Sequence, residues 1–325
     1  MNGVIIVDKP AGFTSHDVVN RMRRILGQRS VGHLGTLDPL ATGVLPLVTG
    51  SLTRLAQFYT ASEKTYEGVI RFGFATNTYD ADGDPVSERV PATPTMEQLQ
   101  SLAAQFVGQI EQVPPPFSAK KIQGVPAYKL ARKQKEVVLQ PVQVEIKEFT
   151  IVAVEADRAH FRARVSSGTY MRSVAHEMGQ RLGWGAHLES LRRTAVAEFD
   201  IAQAHTLIEL EGVRDMERKE QQQVPPLRIP SLSGKECFGR DDNPTSTLDA
   251  LFIHPRLLLP QIPAVTADES TAARIRSGRP ANLPELSRAR LVKVFHGQSE
   301  LIAIATRVAG TLFHPKIVFP PDGQK

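Results

Sequence analysis

The chain has 325 residues, of which 39 are lysine or arginine and 34 are aspartate or glutamate, so its formal net charge is +5. Its apolar share of 41% is enough for a sizeable core and excludes a disordered chain of low hydrophobicity. The single cysteine excludes an intrachain disulfide and a CxxC metal site, and it favours a reducing compartment.

The sequence gives no sign of export or of membrane insertion. Its first residues have no basic segment before their short apolar run, so we expect no signal peptide. No window approaches the ~18 consecutive apolar residues of a membrane span. The length suggests two domains, or one large domain with an appendage. We therefore expect a cytoplasmic protein without a membrane partner.

The first predicted elements are a strand and a helix. The apolar run GVIIV at residues 3–7 is typical of a strand, and a turn containing proline and glycine follows it. Thr14 with Asp17 three positions later is a helix-start signature. The apolar residues after it recur at helical spacing, at Val18, Met22 and Ile25.

A glycine-punctuated loop separates this helix from two further strands. The loop GHLGTLDPLATG runs from Gly32 to Gly43, and the apolar run VLPLV at residues 44–48 predicts a buried strand. Residues 64–75 alternate, with Tyr66 on the apolar parity, which predicts a strand with one buried face. The segment TYDADGDPV that follows has the composition of a turn.

Positive charge is concentrated in residues 112–147. They hold seven lysines and arginines against two glutamates, a net charge of +5 that equals the charge of the whole chain. Such a segment fits a clamp for RNA phosphates, although an ordinary solvated surface has the same composition. The clamp residues that we expect are Lys120, Lys121, Lys129, Arg132 and Lys133.

The second half of the chain predicts strands, one helix and a polar interruption. Residues 142–167 contain two β-rich runs, and a helix that starts near Ser167 would hold Arg172 in its first turns. Residues 211–250 are polar, like a linker or a surface insertion. Two β-rich runs about Gly297 then predict a hairpin. The pattern indicates an α+β fold built on a largely antiparallel sheet.

Asp38 has the local features of a chemically useful carboxylate. Pro39 favours an extended conformation for Asp38, and the nearby glycines allow tight bends and close approach of a ligand. An aspartate with an ordinary pKa of ~3.9 is ionised at neutral pH and can act as a nucleophile or a base. An aspartate and a proline among glycines are also what an ordinary turn contains, so local residues alone leave both readings open.

Several ordered motifs resemble the TruB-type tRNA pseudouridine synthases. GHLGTLDPLATGVLPL is similar to the nucleophile motif of that family, and DKPAGFTSHDVV to its N-terminal motif. KTYEGVIRFGFAT resembles the tyrosine motif, and SSGTYMRSVAHEMG with HLESLRRTAVAEF resembles the arginine and leucine motifs. Together the motifs cover about residues 1–210. The resemblance implies a mixed, largely antiparallel sheet of the pseudouridine synthase type, flanked by helices.

The resemblance also implies a domain organisation and an activity. A catalytic domain would span residues 1–250, and a small β-rich PUA-like domain would span 256–325. The implied reaction converts uridine to pseudouridine at position 55, in the TΨC loop of tRNA. It needs no cofactor, and no HExxH spacing or GxxxxGK[ST] loop indicates a metal or a nucleotide. The implied partner is the TΨC arm of tRNA, without a guide RNA, and we expect a monomer.

Roles in the chemistry follow from the same resemblance. Asp38 matches the family nucleophile, and Arg172 matches the arginine that pairs with it, which suggests a bidentate guanidinium. Tyr66 matches the aromatic that stacks on the target base and can help move the C5 proton. Without the resemblance, Arg172 reads as an exposed helix residue and Tyr66 as a core residue of an amphipathic strand.

The resemblance further implies residues that bind the displaced base. Tyr170 and Leu191 match positions that line the uracil pocket, and the alternative for both is plain core packing. His33 matches the residue that fills the gap left by the extruded base, and its alternative is a loop histidine that caps backbone groups. Lys9 and Lys64 resemble family lysines near the site, but we expect both to be surface lysines.

Three other functions are compatible with parts of the sequence. A guide-RNA-dependent synthase would share the catalytic motifs, and a non-catalytic RNA-binding protein could use the same surface. A hydrolase with an aspartate nucleophile would need a second carboxylate to activate water. The cluster Asp80, Asp82 and Asp84 offers one, although a polar turn has the same composition.

Overall fold

The computed structural model describes residues 2–118, 120–122, 125–127, 139–223 and 248–320. The helices are α1 (Ser15–Leu26), α2 (Ala56–Tyr59), α3 (Met96–Ala104), α4 (Met171–Leu182), α5 (Leu207–Gln223) and α6 (Glu269–Arg276). The strands of the first 206 residues are β1 (Val4–Lys9), β2 (Val31–His33), β3 (Thr42–Thr49), β4 (Lys64–Phe72), β5 (Gly108–Gln112), β6 (Lys121–Ile122), β7 (Val125–Pro126), β8 (Val142–Glu155), β9 (Arg158–Val165), β10 (Ala186–Val196), β11 (Phe199–Asp200) and β12 (His205–Thr206). The later strands are β13 (Ala264–Ala267), β14 (Ala281–Asn282), β15 (Leu291–His296), β16 (Glu300–Ala309) and β17 (Leu312–Val318).

A ten-stranded sheet forms the larger part of the protein. Its main path runs β12-β1-β3-β10-β4-β9-β8-β5, with β2 beside β3 and β11 beside β10. The pairs β1–β12 and β3–β10 are parallel, and the other neighbours are antiparallel. Helices pack against the sheet through an apolar core that includes Val18, Leu99 and Val174. The predicted α+β class with a mixed, largely antiparallel sheet is therefore confirmed.

Helix α1 begins and ends where its sequence directs. Thr14 accepts a hydrogen bond from the backbone of Asp17 at 3.1 Å, and Asp17 accepts one from the backbone of Thr14 at 2.9 Å. This reciprocal capping box satisfies two amide groups that would otherwise lack a partner. At the other end, Gly27 takes a left-handed conformation with φ of 62°, which glycine adopts without steric cost.

Helix α4 begins four residues later than its composition suggests. The predicted start near Ser167 is wrong, because Gly168 has φ of 85° and turns the chain before Met171. Tyr170 caps the helix, and Gln112 holds its backbone by two hydrogen bonds of 2.8 and 3.1 Å. Arg172 nevertheless lies in the first turn, as predicted.

The segment predicted as a polar linker or insertion at 211–250 is helical at its start. Residues up to Gln223 belong to α5, and residues 224–247 lie outside the described part of the chain. The helix buries Leu210 against the core, while Glu211 forms an ion pair with Arg21 of α1. Its polar composition reflects one exposed helical face rather than a loop.

A second sheet follows towards the C-terminus. Its order is β13-β15-β16-β17-β14, and β15 and β16 form the hairpin that was predicted about Gly297. Leu258, Phe295 and Ile304 share an apolar cluster with Val4 and Leu52 of the first part of the chain. The β-rich C-terminal unit is thus confirmed, while its PUA-like character and the boundaries 1–250 and 256–325 stay predictions. None of the helices in the described ranges combines the length and apolar character that crossing a membrane requires.

Candidate active site

A cavity of about 430 Å³ opens between the loop after β2, the start of β4 and the N-terminus of α4. Residues from five separate stretches of the chain line it. Its wall contains every catalytic and substrate-binding residue predicted above: His33, Asp38, Tyr66, Tyr170, Arg172 and Leu191. The fold therefore brings these six side chains together, and their individual roles stay predictions.

Asp38 and Arg172 form an ion pair at this cavity. The guanidinium Nε of Arg172 lies 2.9 Å from Oδ2 of Asp38, and the two side chains are 5% and 37% exposed. The carboxylate therefore faces the cavity, while the arginine is buried behind it. The reading of Arg172 as an exposed helix residue is wrong.

The terminal nitrogens of Arg172 have other partners. Nη1 donates to the Thr78 carbonyl at 3.1 Å, and Nη2 donates to the Phe117 carbonyl at 3.0 Å. The bidentate pairing suggested for Asp38 is therefore wrong, because neither terminal nitrogen donates a hydrogen bond to that carboxylate and the contact runs through Nε. Anchored at both ends, the arginine has little freedom to turn away from Asp38.

Asp80 supplies a second carboxylate to the same guanidinium. Its Oδ2 lies 3.4 Å from Nη1 of Arg172, and its side chain is 7% exposed. Asp80 also accepts hydrogen bonds from the Thr78 hydroxyl and the Asp82 amide. Burial raises the pKa of the Asp80 carboxyl, while Thr78 and then Arg172 act in the opposite direction.

Asp80 was read from the sequence only as part of a turn or as a water-activating group. Among the described residues it does not line the cavity, so the structure gives no support to the hydrolase alternative. The segment is an ordered loop rather than a plain turn, because its backbone pairs with Leu188 of β10. Its composition alone cannot reveal this pairing, since the partners are far apart in the chain.

Lys9 holds the loop that carries Asp38. The expectation of a surface lysine is wrong, because Lys9 is 0% exposed. Its Nζ donates to the carbonyls of Pro10, Phe13 and Pro39 at 2.9, 2.6 and 3.1 Å. Burial lowers the pKa of this ammonium to about 8, and the negative charge of Asp38 partly offsets the effect.

Arg193 holds the same loop from the other side, and sequence reasoning missed it. It is 0% exposed and donates to the carbonyls of Val44, Thr36 and Gly35 at 2.8, 3.1 and 3.1 Å. Gly43 allows the backbones of β3 and β10 to lie close together at Arg193, since a Cβ at residue 43 would be 2.2 Å from the Arg193 carbonyl oxygen. The predicted need for glycine in this loop is thus met at Gly43, which also has φ of 98°.

The charge of Arg193 also acts on two residues of the cavity wall. Burial, and then Arg193, lowers the pKa of His33, so this imidazole is uncharged at neutral pH. The same two causes lower the pKa of Lys64 to about 8. Lys64 lines the cavity and is partly buried, so it is not a simple surface lysine either.

Tyr66, Tyr170 and Leu191 form the less polar part of the wall. Tyr66 is 7% exposed on β4, and Leu191 lies on the neighbouring strand β10. Burial, and then the Asp38 charge, raises the pKa of the Tyr170 hydroxyl, which therefore stays protonated at neutral pH. Tyr59, Leu34 and Leu37 also line the cavity, so a flat ring bound there would meet both aromatic and aliphatic side chains.

The predicted clamp falls mostly outside the described residues. Lys129, Arg132 and Lys133 lie there, and the side chain of Lys121 in β6 is not described either. Lys120 is exposed. The RNA-clamping role therefore stays a prediction. In the described ranges no three His, Cys, Asp or Glu side chains are grouped as a metal site would require.

Known proteins resemble this chain over almost its entire length. A model of the TruB family pseudouridylate synthase N-terminal domain matches residues 23–171, and one of the tRNA pseudouridylate synthase B C-terminal domain matches residues 172–229. A relative from Solibacter usitatus (strain Ellin6076), named tRNA pseudouridine synthase B, is 48% identical over 98% of this chain and 100% of its own length.

The chain belongs to the TruB family of pseudouridine synthases. A second relative of the same name, from Stutzerimonas stutzeri (strain A1501), is 38% identical over 94% of this chain and 91% of its own length. Membership of the TruB family makes the chain an isomerase that converts uridine to pseudouridine.

A solved structure supports the TruB fold. A chain of an H/ACA RNP bound to a substrate RNA containing 2'-deoxyuridine aligns with a TM-score of 0.68, over 99% of this chain and 86% of that one. At 22% identity this likeness supports the fold alone. The second family model ends at residue 229, so it does not reach the C-terminal sheet.

Proposed function

We propose that the chain converts the uridine at position 55, in the TΨC loop of tRNA, to pseudouridine, with Asp38 as nucleophile. The observation that carries the proposal is the Asp38 carboxylate, which faces a cavity and is paired at 2.9 Å with the buried Arg172. A carboxylate that is held by a fixed cation is oriented for attack. The names of the two relatives, both tRNA pseudouridine synthase B, support tRNA as the substrate.

The reaction exchanges one glycosidic bond for another. Asp38 attacks the uridine at C1′ or C6, and the C1′–N1 bond breaks. The uracil turns, C5 bonds to C1′, and the bond between Asp38 and the uridine breaks, which frees the carboxylate. The C5 proton then leaves to a base and N1 gains a proton, so atoms and electrons balance without an oxidant or a cofactor. Tyr66 lies in the cavity wall and is the residue that we assign to stacking on the uracil and to helping its C5 proton leave.

The target base must leave its stack to reach the cavity. Base flipping costs a few kcal/mol, and a planar group that fills the vacancy offsets part of this cost. We assign this role to His33, an uncharged ring at the cavity whose buried Nδ1 has no hydrogen-bond partner among the described residues. Tyr170 and Leu191 would then hold the detached uracil. His33→Ala should slow modification, and complete loss would instead indicate a chemical role for His33.

The remaining parts of the proposal concern partners and organisation. The chain acts as a monomer without a guide RNA, with residues 1–250 as catalytic unit and 256–325 as a PUA-like unit. Lys120, Lys121, Lys129, Arg132 and Lys133 clamp tRNA phosphates. A single cysteine in 325 residues fits the reducing cytoplasm.

The experiment is a modification assay on purified protein. An unmodified tRNA transcript is incubated without guide RNA and in the presence of EDTA, with monovalent salt maintaining the tRNA fold, and pseudouridine is mapped along the strand. We expect one pseudouridine, at position 55, and none in a matched transcript with cytidine there. Pseudouridine at another position would overturn the assignment of the target. No product until a guide RNA is added would favour the guide-dependent alternative.

A further inference from the structure

Two aromatic rings stack directly beside the arginine of the active site. The rings of Tyr79 and His176 have centroids 3.8 Å apart and planes within 10° of parallel. His176 lies on α4, four residues after Arg172, so both side chains project from the same face of that helix. Tyr79 lies in the loop between Thr78 and Asp80.

Tyr79 has a backbone conformation that tyrosine rarely adopts. Its φ is 66°, in the left-handed region that glycine favours. Such a conformation persists only where the surrounding structure fixes it. The stack on His176 contributes to fixing it, together with two backbone hydrogen bonds, from the Leu188 amide to the Tyr79 carbonyl at 3.0 Å and from the Tyr79 amide to the Thr76 carbonyl at 3.3 Å.

The left-handed turn at Tyr79 has a specific result for Arg172. The residues on both sides of Tyr79 contribute acceptors to the same nitrogen, Nη1. The Thr78 carbonyl oxygen lies 3.1 Å from it, and Oδ2 of Asp80 lies 3.4 Å from it. An extended conformation at position 79 would direct one of the two acceptors away from the guanidinium.

His176 is suited to packing rather than to proton transfer. Burial lowers its pKa, so the ring is neutral, and its buried Nδ1 has no hydrogen-bond partner among the described residues. Neither His176 nor Tyr79 is among the described residues that line the cavity. Both therefore act on the reaction only through the residues that they hold.

We propose that the Tyr79–His176 stack is a positioning pair, which fixes the loop that orients Arg172 against Asp38. The inference rests on the proposed role of the Asp38–Arg172 pair in catalysis. When the stack is lost, the loop relaxes, the two acceptors withdraw from Nη1, and the guanidinium moves relative to the carboxylate. Small misplacements of catalytic groups slow the chemical step, whereas RNA binding uses other contacts.

The test measures chemistry and binding separately. Tyr79→Gly removes the ring, and glycine tolerates φ of 66° without being held to it, so the chain can fold while position 79 is free to leave that conformation. We expect its single-turnover rate constant at saturating enzyme to fall ~10- to 100-fold, with the Kd for tRNA within about threefold of wild type. His176→Ala should behave alike, and the double variant should be no slower than the slower single variant.

Conservative and matched variants distinguish positioning from general stability. Tyr79→Phe and His176→Phe keep two stacked rings and should restore most of the rate. His187→Ala is the matched control, because it removes another buried histidine that packs on an aromatic ring, Phe74, at 4.5 Å. We expect this variant to lower the melting temperature without a comparable loss of rate.

Three outcomes would overturn the inference while leaving the proposed function intact. In the first, wild type is active and both Tyr79→Gly and His176→Ala stay within twofold of its rate. In the second, the rate losses of the two single variants add in the double variant. In the third, His187→Ala loses as much rate as the stack variants. A wild type that forms no pseudouridine would instead contradict the proposed function itself.

Discussion

Arg172 Nε lies 2.9 Å from the Asp38 carboxylate, although neither terminal nitrogen of the guanidinium is used in that contact. These nitrogens donate instead to the Thr78 and Phe117 carbonyls. The arginine therefore orients the carboxylate from a position that its own neighbours determine. This geometry leads to predictions that separate charge from shape.

Arg172→Lys should keep the positive charge but lose the activity. A lysine ammonium cannot replace a planar fork with three differently directed contacts, and each lost charge-assisted hydrogen bond costs ~1.5–3 kcal/mol. We expect the single-turnover rate to fall at least ~100-fold, with tRNA affinity near that of wild type. Arg181→Lys, at an exposed position of the same helix, is the control and should be unchanged. A fully active Arg172→Lys variant would show that charge alone is sufficient.

Asp80→Asn should separate activity from stability. Burial raises the pKa of Asp80, so its ionised form is penalised in the folded protein, and stability from this group falls as pH rises through the raised pKa. The neutral amide avoids this penalty but weakens the hold on Arg172. We expect about tenfold slower modification and a melting temperature that is not lowered. The control is Asp82→Asn at an exposed neighbouring position, which should change neither the modification rate nor the melting temperature. Equal effects of the two variants would contradict the role of Asp80 in holding Arg172.

Lys9→Met should change how stability depends on alkaline pH. The pKa of Lys9 is lowered from 10.5 to about 8 in the folded protein. Between these two values the unfolded chain binds more protons than the folded chain, so wild-type stability rises with pH in that window. Relative to Lys9→Met, wild type should gain at most ~1.4 kcal/mol per pH unit in urea-unfolding free energy. Lys64 is present in both proteins, so its contribution to the pH dependence cancels. If the difference in unfolding free energy between the two proteins did not change with pH, the lowered pKa of Lys9 would be contradicted.

The sequence predicts most of the fold because its signals are local. The capping box of Thr14 and Asp17, the alternation around Tyr66 and the hairpin at Gly297 each depend on neighbouring residues, and the structure contains them. The helix up to Gln223 was missed because its exposed face has the composition of a linker. Residue type therefore identifies an element when one pattern dominates. It fails where a polar segment can be either a linker or the exposed face of a helix.

The site is harder to predict, since the residues that hold Asp38 and Arg172 in place are distant from them in sequence. The motif resemblance identified Asp38 and Arg172, but no local pattern shows that Lys9 and Arg193 are fully buried. Both have charged side chains that are normally exposed, and only the tertiary structure provides the carbonyl groups that satisfy them. The contact of Asp80 with Arg172 was missed for the same reason, because the arginine belongs to a helix much later in the chain.

The basic segment should control the salt dependence of RNA binding. A variant with five glutamines removes the charge and keeps polar side chains. The replaced residues are Lys120, Lys121, Lys129, Arg132 and Lys133. We expect the slope of log Kd against log salt to fall by ~0.7–0.9 for each phosphate contact that is lost. The rate at saturating tRNA should be unchanged, because the cavity residues remain. An unaltered slope would mean that these residues do not touch phosphates.

The most direct measurement compares wild type with Asp38→Asn on unmodified tRNA. The amide keeps the size of the side chain but cannot act as a nucleophile, so Kd should stay within about threefold while pseudouridine disappears from single-turnover reactions. Pseudouridine formed by Asp38→Asn at a rate near that of wild type would contradict the assignment of Asp38 as the nucleophile.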